Sequence, residues 1–178
     1  MRRLYKFIVR THPKKSLFFL LVLLVAYWRC LPDPLFQDPT SLVIDDREDD
    51  LLGARIAKDG QWRFPYNEAI PDKFTAAITE FEDRRFFSHP GIDPWGIGRA
   101  IQQNIKHRRV VSGGSTISMQ VMRMARKGTS RSIWQKLVEM VLATRLELRY
   151  SKAEILAFYA SNAPFGGNVV GLHAASWR

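Results

Sequence analysis

The run from Ser16 to Trp28 carries no charge, and it follows a leader that holds Arg2, Arg3, Lys6, Arg10, Lys14 and Lys15. Such a stretch does not fit the surface of a water-soluble domain, so it divides the chain into two environments. Its length falls short of the ~20 apolar residues of an ordinary spanning helix, which suits a cleaved signal peptide. However, it ends in Tyr27, Trp28 and Arg29 instead of the small residues of a cleavage site. Tyr and Trp sit well at headgroup level, and Thr11 to Lys15 can lengthen the helix with lysines that snorkel. The expectation is an uncleaved transmembrane anchor over residues 16–29, residues 1–15 as a cytoplasmic basic leader, and the remainder outside the membrane. Cys30 is the only cysteine. It excludes an internal disulfide framework and a cysteine-based zinc site, and it lacks the small preceding residues of a lipidated cysteine.

At 178 residues, with 46% hydrophobic and 25% charged residues, the chain can form one domain with a core plus an appendage and does not belong to the disordered class. The net charge of +10 is uneven, with a second cluster of cations between Lys106 and Arg131. That balance suits nucleic acid, a membrane surface or a phosphate-bearing substrate. No nucleic-acid-binding motif is present and no aromatic residues interleave the cations, so nucleic acid is not an expected partner.

Residues 30–64 read as a proline-containing linker followed by short strands, Ser41–Asp45 and Leu51–Ala57. Asp59-Gly60 is a turn signal before Gln61–Phe64, which predicts a small hairpin with a spacer or packing role. From Pro65 helical periodicity dominates. A first helix is predicted over about Asp72–Phe87, with Phe74, Ala77, Ile78 and Phe81 as its buried stripe and Glu82 on the flank. A carboxylate there is partly desolvated and suited to accept a proton, although Glu82 and Asp83 could equally pair with Arg84 and Arg85. Asp93-Pro94 caps a second helix with Trp95, Ile97, Ile101 and Ile105 inside. Gly113-Gly114-Ser115-Thr116 opens a third, carrying Ile117, Val121, Met122 and Met124, whose free N–H groups would make an anion site. Arg123, Arg126, Lys127 and Arg131 follow closely and could hold a phosphate or pyrophosphate.

A long helix is predicted over about Ser130–Tyr150, with Leu137, Val138, Val141, Leu142, Leu146 and Leu148 on its apolar side. Glu139 lies at the edge of that side with Lys136 one turn before it, which reads equally as a surface ion pair. Glu147 reads as solvent-facing. Ser151-Lys-Ala-Glu154 is a capping box ahead of Ile155, Leu156 and Tyr159.

Five motifs fall in order: Glu82-Asp83-x-x-Phe86-x-x-His89-x-Gly91, Gly113-Gly-Ser-Thr-Ile-Ser-Met-Gln120, Lys136-x-x-Glu139, Lys152-x-Glu-Ile-Leu-x-x-Tyr159-x-x-Asn162, and Phe165-Gly166 with Gly171 and Ala174-Ala175. This set resembles the peptidoglycan glycosyltransferase domain of class A penicillin-binding proteins, the 1C-type subgroup most, over about residues 65–178. The resemblance implies a mainly α, lysozyme-like fold with a smaller membrane-touching lobe, polymerising lipid II with the growing glycan strand as donor. It implies Glu82 as general base and Glu139 across the cleft near the departing pyrophosphate, with a divalent cation (magnesium or manganese) as a possible cofactor. Arg123 and Arg131 match cationic positions at the phosphates, and Ser115, Thr116, Gln120 and Lys136 match cleft-lining positions. Asp83, Phe86, His89, Gly114 and Asn162 belong to the same motifs and are expected to contribute to substrate binding.

The implied setting is the bacterial inner membrane, with the catalytic domain on its outer side and other cell-wall synthesis proteins as further partners. Gln135 and Val138 stand where many members carry cations, and Met119 replaces a common glutamine. Family domains continue past the position of Arg178, so a partial domain is expected. A lysozyme-like hydrolase using Glu82 and Glu139 as its two carboxylates, and a non-catalytic lipid II-binding module, are the alternative readings.

Overall fold

The computed structural model describes residues 13–48, 50–127 and 132–178, and the chain divides into two compact units, residues 1–33 and residues 34–178. In the first, helix α1 (Pro13–Arg29) presents apolar side chains on every side, with Leu17 to Val25 each about half or more exposed. At about 1.5 Å per residue it extends roughly 25 Å. Among the described residues, no helix is long and apolar enough to cross a membrane.

The second unit opens with an antiparallel hairpin, β1 (Leu42–Asp45) and β2 (Leu51–Arg55), in register Leu42 to Arg55 and Ile44 to Gly53. Its turn is closed by the Asp46 carboxylate, which accepts from the Glu48 and Asp50 amides. The predicted turn at Asp59-Gly60 forms, with Gly60 at positive φ and its amide donating to the Ala57 carbonyl. The strand after that turn, β3 (Trp62–Arg63), does not fold back on β2 as predicted. It pairs in parallel with β5 (Val169–Val170), which pairs antiparallel with β4 (Pro164–Gly166). The Trp62 amide donates to the Asn168 carbonyl at 2.8 Å, which joins the strand to β5, and its other anchor is Arg63. Its buried guanidinium donates to the Pro39 carbonyl at 2.6 Å and pairs with Asp59 at 2.9 Å, while its main chain exchanges bonds with Ser41. These bonds tie β3 to the segment ahead of β1 and to the turn at Asp59.

The remainder is helical: α2 (Asp72–Glu82), a short 3-10 turn (Phe86–Ser88), α3 (Pro94–His107), α4 (Ile117–Ala125), α5 (Ile133–Glu147), α6 (Lys152–Asn162) and α7 (Leu172–Trp177). The centre is α4, whose Ile117, Ser118, Met119, Val121 and Met122 are fully buried. It packs against both α5, through Leu142, Ala143 and Leu146, and α6, through Ile155, Leu156 and Tyr159. Burial of each such large aliphatic side chain contributes about 1.5–3 kcal/mol. The predicted capping box forms, with Ser151 and Glu154 bonding reciprocally.

Three predicted faces are corrected. Helix α2 stops at Glu82 and has no fully buried residue, and Phe81 is 86% exposed. Its half-buried side is Phe74, Thr75, Ile78, Thr79 and Glu82, so the helix is turned and Glu82 faces inward instead of flanking the stripe. Helix α3 is turned, and of its predicted inner residues only Ile97 is half-buried. Gly96 and Ala100 are buried, whereas Trp95, Ile101 and Ile105 are exposed at 78%, 54% and 72%. The loop 113–116 meets this helix at Ile97, since a Cβ on Gly114 would lie 2.9 Å from Ile97 Cα, and a Cβ on Gly96 would lie 2.5 Å from Oδ2 of the helix's own cap, Asp93. On α5 only Leu142 and Leu146 of the predicted stripe are buried, while Leu137, Val141 and Leu148 are exposed.

Candidate active site

A cavity of about 590 Å³ opens between the end of α2, the start of α3 and the loop 113–116. Phe81, Glu82, Arg84, Arg85, Trp95 and Arg99 line it, with Gly113 to Thr116 on the far wall. The charges around it are largely committed to one another. Arg84 pairs with Glu80 at 2.6 Å, and Arg85 grips Asp93 through both Nε and Nη2. Burial works to raise the Asp93 carboxyl, but the Arg85 hydrogen bond, the Gly96 amide and the Arg85 charge outweigh it and hold Asp93 below its ordinary value. Asp93 also caps α3 by accepting from the Trp95 amide, as its Asp-Pro sequence predicts.

Glu82 and Asp83 are neighbours with opposite surroundings, because α2 ends between them. Asp83, the cap residue, lies at φ −158° and turns into the protein. Its carboxylate contacts His89 Nε2 at 3.0 and 3.1 Å and accepts from the Ile117 amide at 3.1 Å. The N-terminus of α4 was expected to offer an anion site. Asp83 occupies it, placing a fixed negative charge where the helix dipole favours one. Thr116 completes this junction, donating to the Gly91 carbonyl at 2.6 Å and accepting from the Met119 amide. Gly91 is required there. It has φ 90°, and a Cβ would come within 2.6 Å of the Ala143 carbonyl oxygen.

The other predicted residues divide clearly. Phe86 is fully buried and His89 is buried beneath the site, where Lys152 Nζ donates to the His89 carbonyl at 2.7 Å and lies 4.2 Å from the centre of the Phe86 ring. Gly114, Ser115 and Thr116 line the cavity with Glu82. Gln120 donates from Nε2 to Glu82 Oε2 at 2.7 Å. Tyr159 lies near both Glu82 and Arg123: burial and the Glu82 charge push its phenol up to about 12, while Arg123 pulls it down. Asn162 donates to the Phe158 carbonyl of its own helix.

Lys136 is exposed at the start of α5 and makes no ion pair with Glu139, which is buried at 8% exposure and is not among the residues lining this cavity. Arg131 lies outside the described residues. Lys127, expected among phosphate-holding cations, pairs with Asp38. Among the described residues no group of three or more His, Cys, Asp or Glu side chains could by itself hold a metal ion.

Sequence reasoning missed three features. Glu147, read as solvent-facing, has a 7% exposed side chain that accepts from Ser118 Oγ and from Lys152 Nζ at 2.8 Å. Arg99 borders the cavity and makes no ion pair or side-chain hydrogen bond among the described residues. Trp95 lines the same cavity from the outward side of α3. Only the first had a legible signal, since Glu147 precedes Lys152 by a turn-and-cap interval that can fold one onto the other.

A helical domain with small sheets, a cavity bordered by a carboxylate, and a glycine-serine-threonine wall define a class of protein. The family model described as Transglycosylase matches residues 51–178, and the chain belongs to that family. It is similar to penicillin-binding protein 1C of Escherichia coli strain K12, at 36% identity over 166 residues, which cover 88% of this chain and 21% of that protein. It is 32% identical over 152 residues to the biosynthetic peptidoglycan transglycosylase of Nitrosomonas eutropha, covering 85% of this chain and 60% of that one. A monofunctional glycosyltransferase of Staphylococcus aureus strain JH9 is 39% identical over 107 residues, covering 60% and 39%. The chain thus spans between about a fifth and three-fifths of the length of these relatives.

Proposed function

We propose that this chain catalyses, or forms the core of a protein that catalyses, glycosyl transfer in peptidoglycan synthesis. The observation that carries the reading is Glu82: a half-buried carboxylate on the wall of a cavity of about 590 Å³, where the other carboxylates that border the cavity have cationic or histidine partners. In this reading Glu82 takes the proton from the 4-hydroxyl of lipid II. That oxygen bonds to the anomeric carbon of the growing strand as the bond to undecaprenyl pyrophosphate breaks. A general base within reach of the hydroxyl is worth about 10²–10⁴-fold. Arg123 and Arg131, and by position Arg99, are the cations suited to the two lipid-linked phosphate groups, where negative charge must be held as the leaving group departs. Glu139 is assigned to the pyrophosphate side by its motif.

The membrane enters at two places. The all-round apolar surface of α1 fits lipid better than water, and we assign it to anchoring on the outer face of the bacterial inner membrane. The outward apolar side of α3 (Trp95, Ile101, Ile105) fits the headgroup boundary beside the cavity, where a lipid-linked substrate would arrive.

The test is polymerisation of lipid II by the full chain in detergent, comparing it with Glu82→Gln. The variant should lose about 10²–10⁴-fold in rate. Undiminished polymerisation would remove Glu82 from the chemistry. Release of soluble fragments from purified glycan strands, with no polymer formed, would replace transfer by hydrolysis.

A further inference from the structure

Gln120 was expected at the substrate. Its amide is bonded to Glu82, which is the last residue of α2 and is followed by the end of the helix at Asp83. A glutamate side chain has three rotatable bonds, so its carboxylate plane needs a partner to fix it. The partner that meets it projects from a rigid platform: α4 is capped by Thr116, and the residues between that cap and Gln120 are fully buried. We propose that Gln120 is a positioning residue that holds Glu82 Oε2, so that Oε1 is presented to the acceptor hydroxyl. This rests on the reading of Glu82 as general base given above.

The residue type fits the task. A carboxamide N–H donates to a carboxylate without adding a formal charge to the site. A lysine or arginine in its place would form an ion pair and lower the carboxylate's affinity for a proton. An amide also does not titrate, so it gives Glu82 no competing proton. In the transfer step the acceptor O–H proton moves to Oε1, the new C–O bond forms at the anomeric carbon, and the pyrophosphate leaves with the electron pair of the broken bond. Oε2 remains bonded to Gln120 throughout.

The experiment uses the full chain in detergent with lipid II as substrate. Rates are resolved into kcat and KM across pH for Gln120→Met, which removes the donor at similar length, and Gln120→Glu, which puts a second carboxylate against the first. Glu82→Gln serves as the reference, and thermal melting reports folding. Gln120→Met should lower kcat by about 10- to 100-fold through lost alignment while KM stays within about twofold. The acid limb of its pH–rate profile should move to higher pH, because the anion has lost a hydrogen bond. Gln120→Glu should move that limb further in the same direction, and it reports even if the methionine variant folds poorly.

A raised KM with unchanged kcat would make Gln120 a substrate ligand and overturn the proposal. So would an unmoved acid limb in both variants while Glu82→Gln is inactive, an outcome that leaves the general-base reading intact. Full activity of Glu82→Gln would remove that reading and this inference together.

Discussion

Adjacent residues in this chain have unlike tasks, and the backbone between them decides which is which. Where α2 ends, Glu82 is left on the inner face beside the cavity, while Asp83 swings into the core to meet His89 and the first amide of α4. A similar selectivity governs protonation. Asp59 and Asp93 are held below their ordinary 3.8, in both cases because arginine hydrogen bonds outweigh the upward effect of burial, and Glu154 is held below 4.5 by its bonds from Ser151. Groups depressed in the folded state contribute stability that is present above their unfolded values and is lost as pH falls through the folded ones. Tyr159 works in the opposite sense. Its phenol rises from 10.0 to about 12, so its contribution is full below 10 and disappears as pH climbs toward 12. Unfolding free energy measured against pH should therefore fall at both ends. In Tyr159→Phe the decline between pH 10 and 12 should be shallower than in the parent, and an identical slope would show that this phenol is not the group responsible.

At the scale of elements, the helices are fastened at their ends more than along their lengths. Lys152, in the first turn of α6, donates to the His89 carbonyl and to Glu147 at the end of α5, and Glu147 also receives Ser118 from α4. One ammonium thus joins the motif loop and three helices. Replacing one partner of a buried pair leaves the other charged and desolvated, at a cost of about 3 kcal/mol or more. Lys152→Met should lower the denaturant midpoint by a corresponding amount with little change in slope. The double variant Lys152→Met, Glu147→Leu should recover much of that loss. If the single variant is as stable as the parent, the pair is only a surface contact. Helix α3 shows why amphipathic pattern misleads at this scale. Its large apolar residues follow a helical stripe, but its buried positions are Gly96 and Ala100, and the facing loop comes up to Ile97 at Gly114, where no Cβ fits.

For the whole molecule, the proposed contact with lipid rests on the outward side of α3, an excess of positive charge and the exposed apolar α1. Binding of the full chain to vesicles containing anionic phospholipid should weaken as salt rises, because exposed charges are screened over about 10 Å at 0.1 M. Trp95→Glu should reduce vesicle binding further while leaving the melting temperature unchanged, since that indole is 78% exposed and contributes little to the core. Equal binding by the variant would mean that α3 does not touch lipid.

The residues themselves determined a good deal of this. The ordered motifs were legible as a family pattern, and the Ser151–Glu154 box, the Asp93-Pro94 cap and the Thr116 helix start are local chemistry that needs no partner from afar. The burial of Ile117, Val121, Met122, Ile155 and Leu156 also followed from periodicity, because those helices lie at the centre of the domain. What only the tertiary structure decided were contacts between residues distant in the chain. Gln120 reaches Glu82, Asp83 fills the start of α4, and β3 chooses β5 over the nearer β2. A side chain's facing is set by where the rest of the molecule leaves space, and periodicity carries no information about that space. For the same reason Phe81 and Trp95, which read as core, border an open cavity, while Glu147, which read as surface, is closed in by Lys152 and Ser118.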